Sequence, residues 1–189
     1  SAKGGKINFK TSEVGSYDYW SKRLDKALFP KELNIARIQR MKALKDFPTK
    51  EKYTKLLAES IKDKCIIFAN TQDQADRLAE YSYHSDNIFS KTNLERFKIG
   101  EITRLSCVLQ LSEGVNIPDL KQGIIMHAYG NERKASQRIG RLLRLNPDDT
   151  AIIHILCYKN TVDEKWVNDA LEGFDQNKII WKDFNIKVW

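Results

Sequence analysis

Beyond Lys64 the chain alternates short, wholly apolar runs with helical patterns that carry their own start signals, and this alternation limits the fold more than any other feature. Cys65-Ile66-Ile67-Phe68-Ala69 is a continuous apolar run too short for a helix, the pattern of a strand buried on both faces. Further strands are expected at residues 103–109, 123–128 and 151–157, with a short one at Ile88-Phe89 after a loop over 84–87. Thr71-Gln72-Asp73-Gln74 reads as a capping box that opens a helix with Ala75, Leu78 and Ala79 inward. Thr92-Asn93-Leu94-Glu95 is a second such box, for a helix ending at Gly100, and Thr161-Val162-Asp163-Glu164 caps a last helix striped by Val167, Ala170, Leu171 and Phe174. Strand, helix, strand in succession implies βαβ units, a mainly parallel sheet and right-handed crossovers. Ligands of such sheets gather at the carboxyl ends of the strands.

The first 62 residues follow a different rule. Ile7, Phe9 and Thr11 alternate with polar residues as a weak extended lead-in; Ser16 then precedes a helical face of Tyr17, Trp20, Leu24, Ala27 and Leu28 that ends near Pro30. A second helix is expected over 33–46, and a third places Tyr53, Leu56, Leu57 and Ile61 on one face. Residues 1–64 hold 16 Lys and Arg against 8 Asp and Glu, while the remainder holds 16 against 17, so the net charge of +7 is N-terminal. Such a segment is either a clamp on nucleic acid or on another domain, or an ordinary solvated helical layer. Three regions are expected: a basic helical lead-in or linker (1–62), an α/β core (63–160), and a C-terminal helix with an aromatic tail packing on that core (161–189).

A chain of 189 residues with 41% hydrophobic residues can bury roughly 70% of its unfolded surface. No apolar run approaches the ~18 residues of a membrane span, and Ser1-Ala2-Lys3-Gly4-Gly5 has no apolar export segment and reads as the start of a processed or excised chain. Cys65, Cys107 and Cys157 are isolated, with no Cys-x-x-Cys spacing, which fits a reducing, cytoplasmic setting rather than disulfides or zinc.

Chemistry concentrates in Gln137-Arg138-Ile139-Gly140-Arg141-Leu142-Leu143-Arg144. As a helix this run places Gln137, Arg141 and Arg144 on one face and Ile139, Leu142 and Leu143 on the other. Two guanidiniums fixed in this way suit a phosphate, whose oxygens match the planar fork. Before it come Leu111-Ser112-Glu113-Gly114-Val115-Asn116-Ile117-Pro118-Asp119, at the end of a predicted strand, and Ile66-Ile67-Phe68-Ala69-Asn70-Thr71. In order and rough spacing, the three stretches resemble motifs IV, V and VI of superfamily 2 helicases and translocases. The resemblance is to the second, C-terminal RecA-like domain, a three-layer α/β fold, and covers residues 64–160.

That resemblance implies roles residue by residue. Arg141 and Arg144 would reach across an interdomain cleft to the γ-phosphate of ATP held by the other domain, and Gln137 would contact the nucleotide or its attacking water. Arg138 matches a position that is often structural. Gly114 would lie beside the nucleotide; Asn116 stands where many members carry an aspartate on the ribose hydroxyl, and its amide can still make that bond without the charge. Glu113-Gly114 can also be a simple turn. Asn70 and Thr71 would contact the nucleic-acid backbone, although the Thr71 hydroxyl also serves as a helix cap, leaving the amides of that helix start for a phosphate. His84 and Ser85 resemble a family loop that follows the next strand, where His84 would contact nucleic acid; a lone histidine can equally be structural or merely exposed. His127 and His154 lie in apolar strand patterns and read as structural, and Trp166, Trp181 and Trp189 either stack on bases or fill core.

The sequence has no Gly-x-x-x-x-Gly-Lys-[Ser/Thr], since Lys3-Gly4-Gly5-Lys6 lacks the spacing, and Asp163-Glu164 falls in a helix cap rather than at a strand end. ATP and Mg²⁺ would therefore be held mainly by an N-terminal RecA-like domain, no metal site is expected here, and the fragment alone should not hydrolyse ATP. Ser112-Glu113-Gly114-Val115-Asn116-Ile117-Pro118 looks more like DNA translocases than DEAD-box proteins, whose motif VI usually begins with His. The expectation is the C-terminal half of an ATP-dependent DNA helicase or translocase. A DEAH-like RNA helicase domain and a non-enzymatic nucleic-acid-binding module are the alternatives.

Overall fold

The computed structural model describes residues 12–108, 117–128 and 151–184. The chain divides into two compact units, residues 1–47 and 48–189.

The first unit is a pair of helices, α1 (Glu13–Asp25) and α2 (Pro30–Asp46). Ser12, not Ser16, caps α1: its Oγ accepts the Gly15 N–H at 3.0 Å, and Ser16 lies one turn inside. Pro30 opens α2, where its fixed φ suits the first helical position and its missing N–H costs nothing. Helix α2 stops where Phe47 turns extended ahead of Pro48. Arg40 of α2 meets both Tyr17 and Ser21 of α1, and the two helices, joined by a short turn, run antiparallel as a hairpin.

In the second unit, α3 (Pro48–Ser60) precedes β1 (Cys65–Phe68), α4 (Gln72–Leu78), β2 (Ser82–Tyr83), α5 (Ser90–Lys98), β3 (Arg104–Cys107), β4 (Gln122–Ile125), β5 (Ile152–Ile155) and α6 (Val162–Leu171). The strands form one parallel sheet in the order β2-β3-β1-β4-β5. Strand β1 is central, and its side chains divide by the two-residue period of a strand. Ile66 and Phe68 face Leu94 and Phe97 of α5, while Cys65, Ile67 and Ala69 face Ala58 of α3 and Ala75 and Leu78 of α4. Helices thus cover both faces, a three-layer α/β domain of the RecA-like kind. Each fully buried Ile or Phe contributes about 1.5–3 kcal/mol. Helix α4 leads the chain outward from β1 to β2 and α5 leads it back to β3. The two lie on opposite faces, as crossovers of one hand require.

Two local expectations are corrected. The edge strand is Ser82–Tyr83, paired with Ser106 and Cys107, whereas Ile88 and Phe89 are 88% and 62% exposed. Ser82 is held by polar bonds to Asp76 and Asn87, so apolar patterning could not mark it. Helix α5 begins at Ser90 rather than beyond Thr92, because the Ser90 hydroxyl is engaged with the His84 backbone and fixes the turn there. Its end is as expected: Gly100, at φ +83°, takes the left-handed conformation that closes a helix.

Charged side chains secure the ends of the elements. The Arg104 guanidinium donates to the carbonyls of Ala58 (2.8 Å), Glu59 (3.2 Å) and Ile61 (3.2 Å), at and just beyond the C-terminus of α3. The Lys64 ammonium does the same for Lys98 at the end of α5 and for Pro118. Deeper inside, Lys50 of α3 pairs with Asp163 of α6, their side chains 4% and 0% exposed. Lys50 Nζ also lies 3.1 Å from His127 Nδ1, and the Asp163 carboxylate accepts the Tyr158 N–H at 3.0 Å. Burial pushes the Lys50 ammonium below the ordinary lysine value, with Asp163 pulling the other way.

Removing one partner of such a pair leaves a buried charge, so Lys50→Met should cost about 3–5 kcal/mol in urea unfolding, and Lys50→Met with Asp163→Leu should recover most of it. Arg104→Met should cost about 1.5–3 kcal/mol, with an unchanged denaturant slope, because it orphans three carbonyls.

Candidate nucleotide and nucleic-acid interface

A parallel sheet sends the carboxyl ends of all its strands to one edge. Across this edge the chain leaves β2 at His84, β3 at Val108, β1 at Ala69-Asn70-Thr71, β4 at Met126-His127 and β5 at Leu156. Asn70 is half-buried; its N–H donates to Gln74 Oε1 at 3.2 Å, and its Nδ2 is buried without a hydrogen-bond partner among the described residues. A buried amide donor left open at a ligand-binding edge is costly to keep unless something accepts from it. Thr71 is exposed and caps α4, its Oγ1 accepting the Gln74 N–H at 3.2 Å. At this seven-residue helix start the Thr71 hydroxyl is taken up by the Gln74 N–H and Gln74 Oε1 by the Asn70 N–H.

His84 is 5% exposed, with its Nε2 2.8 Å from Asp76 Oδ1 and its Nδ1 buried and unpartnered among the described residues. Its backbone is held on both sides by Ser90, which accepts from the N–H (3.0 Å) and donates to the carbonyl (2.6 Å). Hydrogen bonds from His84 and then Ser82 hold the Asp76 carboxyl below its usual range. The imidazole therefore sits inside the loop and sets its shape. At the loop's surface stands Ser85, whose Oγ accepts from Gln72 Nε2 at 2.7 Å. That bond ties the turn after β2 to the start of α4, so Asn70, Thr71, Gln72 and Ser85 form one patch of uncharged side chains, with the Ser85 hydroxyl donating to Asp86 Oδ1 at 3.1 Å. The bonding roles of Gln72, Asp76 and Ser82 gave no signal in the sequence, because each is an ordinary polar residue at no motif spacing from its partner.

Gly114 and Asn116, and the run with Gln137, Arg138, Arg141 and Arg144, lie outside the described residues. His127 is buried against Lys50, and His154 Nε2 lies 3.1 Å from Gln122 Oε1. Trp166 is half-buried and Trp181 is 53% exposed, whereas Trp189 lies outside the described residues. Burial pushes the Cys65 thiol up to about 12 and the Cys157 thiol up to about 11, so neither is an available nucleophile at neutral pH. Among the described residues no three His, Cys, Asp or Glu side chains come together to hold a metal ion, and no helix is long and apolar enough to cross a membrane.

The comparisons with known proteins bear on the domain as a whole. A family model, the helicase conserved C-terminal domain, matches residues 48–146. DNA 3'-5' translocase XPB2 of Sulfurisphaera tokodaii is 30% identical over 119 residues, 60% of this chain and 27% of the relative. A putative DNA 3'-5' helicase, Rad25 of Haloarcula marismortui, is 27% identical over 118 residues, 59% of this chain and 19% of the relative. The chain thus spans about a quarter or less of the length of these curated relatives. Two solved structures share the fold at low identity. The E. coli DEAD-box protein SrmB has a TM-score of 0.52 at 16% identity, covering 68% of this chain and 80% of SrmB. The C-terminal domain of the DEAD-box protein Dbp5 has a TM-score of 0.54 at 18%, covering 68% and 79%. With the family model spanning more than half of it, the chain belongs to the helicase conserved C-terminal domain family, as the second RecA-like domain of a superfamily 2 helicase or translocase.

Proposed function

We propose that this chain is the C-terminal half of an ATP-dependent DNA translocase or helicase, and that it supplies the arginine fingers and part of the nucleic-acid track. The observation that carries the reading is the neutral polar patch of Asn70, Thr71, Gln72 and Ser85 at the carboxyl edge, with one buried amide donor open, in a domain whose family match also spans both arginines. Neutral donors at a strand end suit a sugar-phosphate backbone contacted without regard to sequence. The names of the two curated relatives favour DNA over RNA.

Arg141 and Arg144, with Gln137, would face a nucleotide whose phosphates and Mg²⁺ are gripped by the N-terminal RecA-like domain. Gly114 would let the backbone approach that nucleotide, and Asn116 would hydrogen-bond its ribose. When bound, ATP supplies the phosphoryl group whose transfer the guanidiniums assist by neutralising developing charge. Drawing the arginines across the cleft closes the two domains, and releasing them lets the pair step along a strand, so chemistry and motion stay coupled. Because the P-loop belongs to the other domain, residues 1–189 alone should bind nucleic acid but not turn over ATP. Free thiols at Cys65, Cys107 and Cys157, two of them buried, fit work in the reducing cytoplasm.

In the intact protein, Arg141→Ala should lower nucleic-acid-stimulated ATP turnover by about 10³-fold or more while nucleotide affinity changes far less. Turnover within a few-fold of wild type would remove the finger assignment. Steady-state ATPase should be raised several-fold more by DNA than by RNA of the same sequence, and the reverse order would make the substrate RNA.

A further inference from the structure

The hairpin of α1 and α2 carries a cleft that the sheet edge does not explain. On α1, Tyr19, Lys22, Arg23 and Lys26 follow one another at i, i+3, i+4 and i+7 and so share a face. With Trp20 and, from α2, Glu32 and Ile35, they line a cavity of about 570 Å³, within the ~300–1,000 Å³ of ligand clefts. Ala36, 3% exposed, closes its base. The cavity is open and has aromatic and cationic walls. Tyr19 is 51% exposed, and its ring is set before any ligand arrives. Trp20 meets it edge-on at 5.0 Å between centroids, while the Arg23 guanidinium lies 5.9 Å above it and donates to its hydroxyl at 3.3 Å.

We propose that this cleft is a second nucleic-acid site, in which Tyr19 stacks on a base and Lys22, Arg23 and Lys26 hold the phosphates of a single strand; the proposal rests on the reading of the chain as part of a nucleic-acid motor. Lys22 and Lys26 stand one turn apart, about 6 Å along the helix, so each meets a separate phosphate. Cations in the last turn of α1 also answer the helix dipole, but that role requires neither a rigid aromatic face nor a cleft beside it. Stacking on aromatic faces combined with a basic groove is the chemistry of sequence-tolerant single-strand binding. The one acid in the wall, Glu32, is turned to the backbone of its own helix start, where Oε2 accepts the Leu28 N–H at 3.3 Å. Residues 12–47 carry eight Lys and Arg against five Asp and Glu, an excess that favours a polyanion.

The test uses the 189-residue chain and fluorescein-labelled oligothymidylate, with anisotropy read across a salt series. The combined change Lys22→Gln, Arg23→Gln and Lys26→Gln should weaken binding about tenfold or more at low salt and flatten the slope of log K against log salt by about 2. Tyr19→Leu should weaken binding several-fold and leave that slope unchanged. Thermal unfolding by circular dichroism checks that both variants keep the wild-type transition, and Tyr19→Leu tests the cleft with every charge in place. Asn70→Ala with Ser85→Ala serves as the sheet-edge control. If the hairpin variants bind as wild type while the edge variant is weakened, the cleft is not a nucleic-acid site and the proposed function stands. If wild type binds no oligonucleotide, the track assigned to the sheet edge fails as well. Polyglutamate competing as well as oligothymidylate, and losing as much affinity in the triple variant, would make the occupant an acidic polypeptide and overturn the proposal.

Discussion

Because β1 is hydrogen-bonded to β3 on one side and to β4 on the other, its backbone groups are all paired only when both neighbours stand in the observed register. A slip of one residue would exchange the two faces, putting Ile66 and Phe68 where Cys65 and Ile67 now pack against α3 and α4. The bulky phenyl of Phe97, fully buried on one side, and the small Ala58 and Ala75 on the other make the faces unequal, so the slipped sheet would meet clashes and voids together. Register in turn decides which side chains emerge at the carboxyl edge. Asn70 and Thr71 reach the surface there because Ala69 is the last residue of β1's apolar run, and its N–H is still bound to the Cys107 carbonyl.

The polar cluster around Lys50 holds the other side of that edge. It connects α3, the turn after β4 through His127, the turn before α6 through Tyr158, and the first turn of α6 through Asp163. Desolvation makes such a pair a poor source of net stability, so its value lies in fixing three elements at once. Ala128 and Ile152 bracket the chain that carries Gln137, Arg141 and Arg144. On the proposed reading, that chain must aim two guanidiniums at a ligand held elsewhere, and placement of this kind depends on rigid supports. The 2% exposure of Ala128 and Val167 against each other is the apolar part of the same support.

The alternation of apolar runs and capped helices made the parallel sheet legible, because strands buried on both faces leave a run of bulky residues that little else explains. Strands β1, β3 and β5 each fall within an expected run, β4 begins one residue ahead of its own at Gln122, and Thr71 and Thr161 cap the expected helices. What escaped reading shares one cause. Ser82, Ser12 and Ser90 are small hydroxyl residues that decide an edge strand and two helix starts through hydrogen bonds that serines elsewhere in the chain could equally make. Lys50 is the sharpest case, since a lysine within a basic helix reads as solvated, and only its 4% exposure beside Asp163 shows otherwise. At the sheet edge, the position of Asn70 followed from the end of an apolar run, whereas the inward turn of His84 depended on Asp76, eight residues upstream.

Charge and geometry are divided between the two units. Asn70, Thr71, Gln72 and Ser85 are neutral, and Asp73 and Asp86 stand beside them in the sequence. Such a patch can orient a backbone through short hydrogen bonds, but it cannot supply the counterion release that dominates affinity for nucleic acid. The sheet unit has cations, yet several are committed internally. Arg77 grips Glu51 with two bonds of 2.9 and 2.8 Å, Arg104 and Lys64 hold carbonyls, and Lys50 is buried. The exposed cations of the hairpin, Lys22, Arg23 and Lys26 among them, face open solvent beside aromatic rings. On the proposed reading, a domain that releases and regains its strand in every cycle would gain from this separation. Neutral contacts at the edge would then be remade at each step, while a basic element whose attraction does not depend on register would keep the polymer near.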